Sequence, residues 1–368
     1  MNFTVFSSAP LVKKQDGYYA YQPYIREMDL WARHTGPMHF ACPVIEDDGG
    51  LYTKIEFPIG RIYALHAFDV KSTTGVFRAL RYSIVNLFIL FGAMRAAGHL
   101  HLRCPGNIGL LACVVQIFFP GKKKTAKYAG NWDPKSVQPV SYKIQKWFLN
   151  NAFLTRNMTV LVYGQWPGTS RNIKPFFTAT YWESDKKPLQ PKPAGPIAFV
   201  FAGSLAPGKR PQYAIELVER LRSDGVDAYL NLYGNGSERA KLEDYVKNSG
   251  LIQAVRFMGN QPANAVARAF GESHFAILPS RSEGWPKAVA EAMFWGCLPL
   301  ATAVSCVPYM LDSGKRGVLL NLDLEADAKA VIHLLENPME YQEKVEAAAN
   351  WSRQFTLDLF EREIVKLL

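Results

Sequence analysis

Leu278-Pro279-Ser280-Arg281-Ser282-Glu283-Gly284-Trp285-Pro286-Lys287, running on into Glu291-Ala292-Met293, is the stretch on which the reading of this chain turns. It follows the apolar run His274-Phe275-Ala276-Ile277-Leu278, which reads as a buried parallel strand. Ser282 and Pro286 can each open a helix, which puts Glu283 on a turn and Glu291 about two turns further on. Eight positions at ~3.6 residues per turn bring the two carboxylates close to one helical face. Between them lie the backbone N–H groups of a helix start: Gly284, Trp285, Lys287 and Ala288 can donate, whereas Pro286 cannot. Anions bind at such places through orphan donors and the helix dipole. The pattern predicts a strand–turn–helix site able to hold a phosphorylated sugar compound from several sides.

Outward from this stretch, strands and helices alternate. Strands are expected at 197–201, 228–233, 255–258, 274–278 and 298–301. Helices are expected over 212–221, from Ser237 as N-cap, over 263–270 and after Pro286. That alternation predicts a parallel, doubly wound α/β sheet, whose ligands bind at the carboxyl ends of the strands. Three loops fall at such ends. In Gly203-Ser204-Leu205-Ala206-Pro207-Gly208-Lys209-Arg210, small residues let the backbone approach a ligand and two cations can neutralise a diphosphate. Gly234-Asn235-Gly236-Ser237 and Phe257-Met258-Gly259-Asn260 are the other two, both tight turns.

Taken together, these strings resemble the retaining glycosyltransferases of GT-B fold, above all family 4. There, two glutamates separated by seven residues follow a strand ending in Pro-Ser, and Gly296-Cys297-Leu298-Pro299 matches the family's entry to the next strand. The resemblance implies that Lys209 and Arg210 stabilise a departing nucleoside diphosphate and that Glu291 binds the donor ribose. It implies that Glu283 lies near the transferred sugar, and that Gly203, Ser204, Gly234, Gly236, Met258 and Gly259 line the donor cleft. It further implies two doubly wound Rossmann-like domains facing an interdomain cleft, with a last helix crossing back. No metal and no cofactor are implied beyond the nucleoside diphosphate sugar as co-substrate. Two departures stand out: Ser204 occupies a place where many relatives carry an arginine, and Gly130-Asn131-Trp132-Asp133 lacks the histidine usual after that strand.

The first half is less regular. Strands are expected over Met1 to Phe6, at 38–41, 99–101, 125–128 and 159–162, with a helix from about Pro23 to Arg33. Asp16, Gly17 and Tyr18, Arg103, and Asn131 with Trp132 are candidates for the acceptor or cleft side, each equally consistent with loop packing. Glu46-Asp47-Asp48 before Gly49 reads as a solvated acidic turn, not a metal site. The proline-rich stretch 188–196 reads as an extended linker. The domains are therefore placed at 1–187 and 197–350, with a crossing helix over 351–368.

Charge divides the halves. Residues 1–194 hold 24 Lys+Arg against 11 Asp+Glu, and residues 195–368 hold 18 against 21. A basic, aromatic first half suits an anionic membrane surface or a lipid-linked phosphate, although a solvated basic surface would have the same composition. No nucleic-acid-binding module is evident. The longest apolar run, Ile84 to Met94, is about eleven residues, short of the ~20 of a membrane span. With no secretory leader and five cysteines expected as buried thiols, a cytoplasmic protein is expected, at the inner face of the membrane if the basic half docks there.

The function expected from all this is sugar transfer, with retention, from a nucleoside diphosphate sugar to a saccharide or lipid-linked saccharide in cell-surface polysaccharide synthesis. A non-catalytic sugar-nucleotide-binding subunit and a nucleotide-sugar epimerase of related fold are the alternatives. Ser204 and the missing histidine favour the first of these. Donor base, donor sugar, acceptor and linkage are not encoded in any motif of the chain.

Overall fold

The structure, a computed structural model, describes residues 2–47, 50, 52–68 and 73–368; Met1 and, of the acidic turn expected from sequence, Asp48 and Gly49 lie outside the described residues. Two compact units result, one of Met1–Phe177 with Glu361–Leu368, the other of Thr178–Phe360.

In the second unit, five of the six parallel strands carry the expected alternation, and the sixth, with the helices around it, was not expected. In chain order they are β11 (Ile197–Ala202), α5 (Pro211–Ser223), β12 (Ala228–Tyr233), α6 (Arg239–Asn248), β13 (Val255–Gly259) and α7 (Ala263–Glu272). Then come β14 (Phe275–Leu278), α8 (Lys287–Phe294), β15 (Leu298–Thr302), α9 (Val307–Met310), β16 (Val318–Leu320), α10 (Leu324–Glu336) and α11 (Pro338–Ser352). The sheet order is β13-β12-β11-β14-β15-β16. Strands buried on both faces need no polar alternation, so Phe275–Leu278 is apolar and buried throughout. Helices α5, α6 and α10 pack on one face around Phe199, Leu217, Leu230 and Phe275. Helices α7 and α8 cover the other, with Phe270 and Ala292 against Val200 and Ala276.

The first unit runs β1 (Phe3–Phe6), β2 (Leu11–Lys14), β3 (Gly17–Tyr21), α1 (Gln22–Thr35), β4 (Met38–Ile45), β5 (Tyr52–Lys54), β6 (Ile59–Leu65) and α2 (Thr73–Ala96). It continues with β7 (His99–Cys104), α3 (Asn107–Val115), β8 (Lys123–Tyr128), α4 (Val140–Leu149), β9 (Met158–Tyr163) and β10 (Ile173–Phe176). Its sheet reads β10-β9-β8-β7-β1-β4-β2-β3-β5, with β6 also on β4. Of the parallel part, β1, β4, β7, β8 and β9 are as expected from sequence, whereas β6 and β10 are not. The antiparallel extension through β2, β3 and β5 is not, because these strands are short and half exposed.

One sheet face holds α1, where Trp31 stacks on Phe3 at 5.2 Å and lies tilted against His101 at 4.8 Å. The other holds α2, α3 and α4, packed through Leu90, Met94, Ala112 and Leu149 onto Leu100, Leu102 and Ala126. The apolar run read as eleven residues lies inside the 24-residue α2. Its window Ala79–Ala96 has mean hydropathy 1.2 and is, by length and composition, long and apolar enough to cross a membrane, with 28% of it buried. Arg81 and other polar residues interrupt the sequence pattern without interrupting the helix.

The proline-rich stretch 188–196 falls within the second unit, the division coming earlier, after Phe177. It is largely exposed, yet Leu189 packs on that unit's core and Lys192 Nζ donates to Gly271 O at 2.9 Å. The segment expected as one final helix over 351–368 is split: α11 ends at Ser352, and α12 spans Leu357–Val365. From Glu361 onward its residues belong to the first unit, where Glu361 meets His34 at 2.9 Å and Glu363 meets Lys174 at 2.7 Å.

All five cysteines are buried free thiols. Three histidines are also buried as bases. Burial pushes His99 and His274 each down to about 4, and burial with the nearby Arg103 drives His101 well below its ordinary value. The Nδ1 of His274 accepts the Ala198 N–H at 3.1 Å, which requires that nitrogen to be unprotonated.

Because the unfolded chain takes up these protons near 6.5, stability is whole above that pH and declines as pH falls towards about 4. Urea denaturation is expected to show a lower midpoint at about pH 5 than at about pH 7.5, at up to about 1.4 kcal/mol per pH unit for each histidine. His274→Asn, which keeps an acceptor for Ala198, is expected to flatten that slope.

Candidate functional site

The order of the second sheet reverses between β11 and β14. These are neighbours, with Phe199 opposite Phe275 and Val200 opposite Ala276, but the helices that follow them leave to opposite faces. A crevice opens at such a point beyond the carboxyl ends of the two strands. The loops leaving them, 203–210 and 279–286, run side by side, tied by Arg281 N–H donating to Gly208 O at 2.8 Å. Lys209 and Glu283, 74 residues apart, meet there: Nζ lies 2.5 Å from Oε1. The Glu283 side chain is 9% exposed and that of Lys209 30%. Arg210 adopts the left-handed conformation at φ 49°, and its guanidinium reaches towards Pro279 O at 3.5 Å.

Glycine at 234 and 236 is explained by the backbone they pack on. A Cβ on Gly234, at φ +135°, would stand 1.9 Å from Gly203 O, and one on Gly236 2.4 Å from Leu205 O. Gly203 N–H donates to Tyr233 O, Leu205 N–H to Asn235 O, and Gly234 N–H to Gly259 O, at 2.8 to 3.0 Å. Gly203, Ser204, Gly234, Gly236 and Gly259 therefore form one backbone platform at the strand ends, with Met258 beside Gly259 at 37% exposure. Helix α6 begins at Arg239 after Glu238, so Ser237 does not cap it.

Helix α8 begins after Pro286, and its first bonds are donated by Val289 and Ala290 to Pro286 O. The N–H groups of Lys287 and Ala288 thus stand ahead of the helical ladder. Glu283 precedes the helix, so the two glutamates do not share a helical face as their spacing suggested. Glu283 turns to Lys209, whereas Glu291 accepts from the Thr180 hydroxyl at 2.7 Å in a small cleft that includes Lys287, Trp285 and Ser352. The Trp285 ring is 7% exposed, stacked on Trp351 at 6.0 Å and met edge-on by Phe355 at 5.5 Å, which fixes the loop from behind. The Gly284 carbonyl is held by the Ser305 hydroxyl at 3.2 Å and the Cys306 thiol at 3.0 Å. Sequence reasoning missed Thr180, Ser305 and Cys306; none sits in a recurrent motif, and each acts from a distant part of the chain.

The first-unit candidates fare differently. Asp16 and Gly17 are the tip of the β2–β3 hairpin, with Tyr18 in β3, and the Asp16 carboxylate is engaged by Lys54 at 3.1 Å and by the Tyr19 hydroxyl. Trp132, 3% exposed, is a core residue set edge-on to Tyr128, so its ring is not a surface for a sugar. The Asn131 Oδ1 accepts the Asp133 N–H at 2.9 Å and shapes the same turn. Arg103 does sit at a strand end, but it is paired with Glu27, whose other oxygen meets Lys127 at 2.7 Å. Burial alone would raise the Glu27 carboxyl; the Arg103 guanidinium and Lys127 ammonium reverse this and hold it far below the usual carboxylate range. Among the described residues no group of three or more His, Cys, Asp or Glu side chains could hold a metal ion.

Residues 183–351 match the family model "Glycosyl transferases group 1". WcaL of Escherichia coli (strain K12), named as a colanic acid biosynthesis glycosyltransferase, is 28% identical over 149 residues, 39% of this chain. WcaL of Salmonella typhimurium is 27% identical over 145 residues, 38% of this chain. The matches span 36% and 35% of these relatives' own length, about a third. Whole-chain similarity appears in structures. The Anabaena protein Alr3699/HepE, in complex with UDP and glucose, has a TM-score of 0.71 at 11% identity, covering 100% of this chain and 98% of that one. Sucrose-phosphate synthase from Thermosynechococcus elongatus has a TM-score of 0.67 at 16% identity, with the same coverage. The fold is thus GT-B, as the sequence predicted, and the similarity to glycosyl transferases group 1 lies over residues 183–351, less than half of the chain.

Gly234→Ala must displace the Gly203 carbonyl and adopt a strained φ. It is expected to cost on the order of 1–3 kcal/mol in urea denaturation, with loss of any ligand affinity that depends on the 203–206 loop.

Proposed function

We propose that this chain transfers a sugar with retention from a nucleoside diphosphate sugar to a saccharide or lipid-linked saccharide. The observation that carries the reading is the convergence of Lys209, Arg210 and Glu283 at the sheet's reversal point, beside a glycine platform and the start of α8. A cation pair and a row of backbone donors suit a diphosphate; a buried carboxylate suits the hydroxyls and developing positive charge of the sugar.

In this mechanism the diphosphate draws Lys209 away from Glu283, and Lys209 and Arg210 neutralise the charge that grows on the leaving oxygen. Glu283, released, holds the sugar. The bond between the anomeric carbon and the phosphate oxygen breaks as the acceptor hydroxyl oxygen bonds to the same face of that carbon. The hydroxyl proton passes to the departing phosphate. Glu291, with Thr180 beside it, holds the ribose hydroxyls. No group of the chain has to become covalently attached, and no metal or cofactor is assigned a part.

The proposed setting is cell-surface polysaccharide synthesis, in keeping with the name given to WcaL. The proposed location is the inner face of the membrane, which the basic first unit would contact. A binding subunit without catalysis is the second reading, favoured by Ser204 and by the burial of Trp132, which leaves the loop after β8 without the family's histidine or a replacement for it.

Calorimetry against UDP, GDP, ADP, CMP and dTDP is expected to find one nucleoside diphosphate that binds and is weakened by Lys209→Ala. With that donor, Glu283→Gln is expected to lower the turnover number by about 10²–10³ while nucleotide binding survives. Binding by none of the nucleotides would overturn the donor site. Binding with no transfer to any lipid-linked or free saccharide would favour the second reading.

A further inference from the structure

The outer surface of α2 is a ridge of large apolar side chains. Phe77, Leu80, Ile84, Phe88 and Phe91 recur at three- and four-residue spacing and are all exposed, Phe77 at 79% and Phe88 at 77%. Phe118, at the end of the turn after α3, extends the ridge by meeting Phe91 edge-on at 6.3 Å. Helix α3 packs between α2 and α4, all three on one face of the sheet. Helix α4 presents a second ridge, Val140, Ile144 and Trp147 at positions i, i+4 and i+7, with Trp147 60% exposed. An exposed apolar surface of this kind on a soluble fold calls for an occupant.

Charge says which. Residues 49–182 contain 17 Lys+Arg and only 3 Asp+Glu, and neither α2 nor α4 contains an acid. Arg81 and Arg95 on α2, Lys143 on α4 and Arg156 near its end are exposed among the aromatics, the Arg156 guanidinium lying 5.0 Å from the Phe153 ring centre. A second protein surface would need matching acids, and a second copy of this unit would set these cations against one another. Aromatic and aliphatic ridges bordered by Lys and Arg, with no acid, match the boundary between anionic headgroups and acyl chains.

The length and hydropathy of α2 would also allow it to span a bilayer, but its inner face is already committed. Asn86 is fully buried, its Oδ1 accepting the His66 N–H and its Nδ2 donating to His66 O, both at 2.9 Å. Leu90, Ala93 and Met94 are core residues on the same side. Lys122 Nζ fastens the carboxyl end by donating to Arg95 O at 2.7 Å and Ala97 O at 2.5 Å. Spanning would strip all of these contacts away, whereas lying in the membrane plane keeps them.

We infer that α2 and α4 form an in-plane membrane-insertion face for anionic lipid, with the Phe77–Phe91 and Val140–Trp147 ridges entering the acyl boundary. The inference deepens the membrane contact proposed above, which rests on charge alone, and it does not depend on the donor site.

The test is co-sedimentation of the full chain with vesicles of phosphatidylcholine, with and without phosphatidylglycerol, at low and high salt. Binding is expected only with phosphatidylglycerol, and Phe77→Ser/Phe88→Ser is expected to weaken it at least about tenfold, since each buried aliphatic or aromatic group adds to the partition. These side chains are exposed, so circular dichroism and nucleotide binding should be unchanged. Tryptophan fluorescence is expected to be quenched by bilayers of brominated lipid, and less so in Trp147→Tyr. Binding that high salt abolishes but the double variant leaves intact would retain the charge contact and overturn the insertion face. No binding to any vesicle would overturn both. A dimer in lipid-free solution that the double variant dissolves would assign the ridge to a second copy instead.

Discussion

The pairing of β11 with β14 is the constraint from which the site follows. Chain order would put β12, not β14, beside β11; the sheet puts both there, one on each side. Because the helices after β11 and β14 depart to opposite faces, the loops that begin them must separate, and the space between them cannot be filled by either helix. Stacked phenylalanines at 199 and 275, 5.2 Å apart, help fix that pairing from within the core. The contact between Lys209 and Glu283 is its consequence at the surface, and so is the adjacency of the glycine platform to the start of α8.

The second unit was legible because its physics is local. Strands buried on both faces are written as unbroken apolar runs, and Pro211 and Pro286 mark the starts of α5 and α8. What the sequence did not disclose was pairing at a distance. Lys209 and Glu283 were both recognisable as site residues, but nothing 74 positions apart reveals that one holds the other. Arg103 was left open between ligand contact and loop packing because Glu27, its partner, is invisible from its own neighbourhood. For Trp132, cleft contact and loop packing were equally open, because an aromatic in a Gly-Asn-Trp-Asp turn gives no sign of whether its ring faces in or out; it faces in. In the first unit, β2, β3 and β5 were missed because half-exposed strands of three to five residues carry too few apolar positions to show a period. Helix α2 was undervalued for the opposite reason, a pattern apolar on both faces and broken only by Arg81 and its neighbours.

The two units thus divide their labour along physical lines. The second is nearly balanced in charge, closely packed, and gathers its candidate site residues at strand ends. The first keeps its polar groups within: the Arg103–Glu27–Lys127 cluster is buried, and His99 and His101 both bond to the single hydroxyl of Thr125 at 2.9 and 2.8 Å. Its outer helical face, by contrast, is apolar and basic. A hydroxyl has one proton, so it can donate to only one of those imidazoles and must accept from the other, which fixes complementary tautomers beneath α1.

A cation left open at the mouth of a cleft would be titrated by whatever small anion the surroundings supply. Lys209 is not open, because the nearly buried carboxylate of Glu283 already occupies it. An anion that reaches the Lys209 ammonium must therefore displace the Glu283 carboxylate, which lies 2.5 Å from it. An ion offering one or two oxygens to Lys209 alone gains little by the exchange. A ligand that also engages Arg210 and the donors at the start of α8, and gives Glu283 a new partner, gains at every point of contact. The ion pair thus weighs against a small anion that meets Lys209 alone and in favour of a ligand that offers partners to both Lys209 and Glu283.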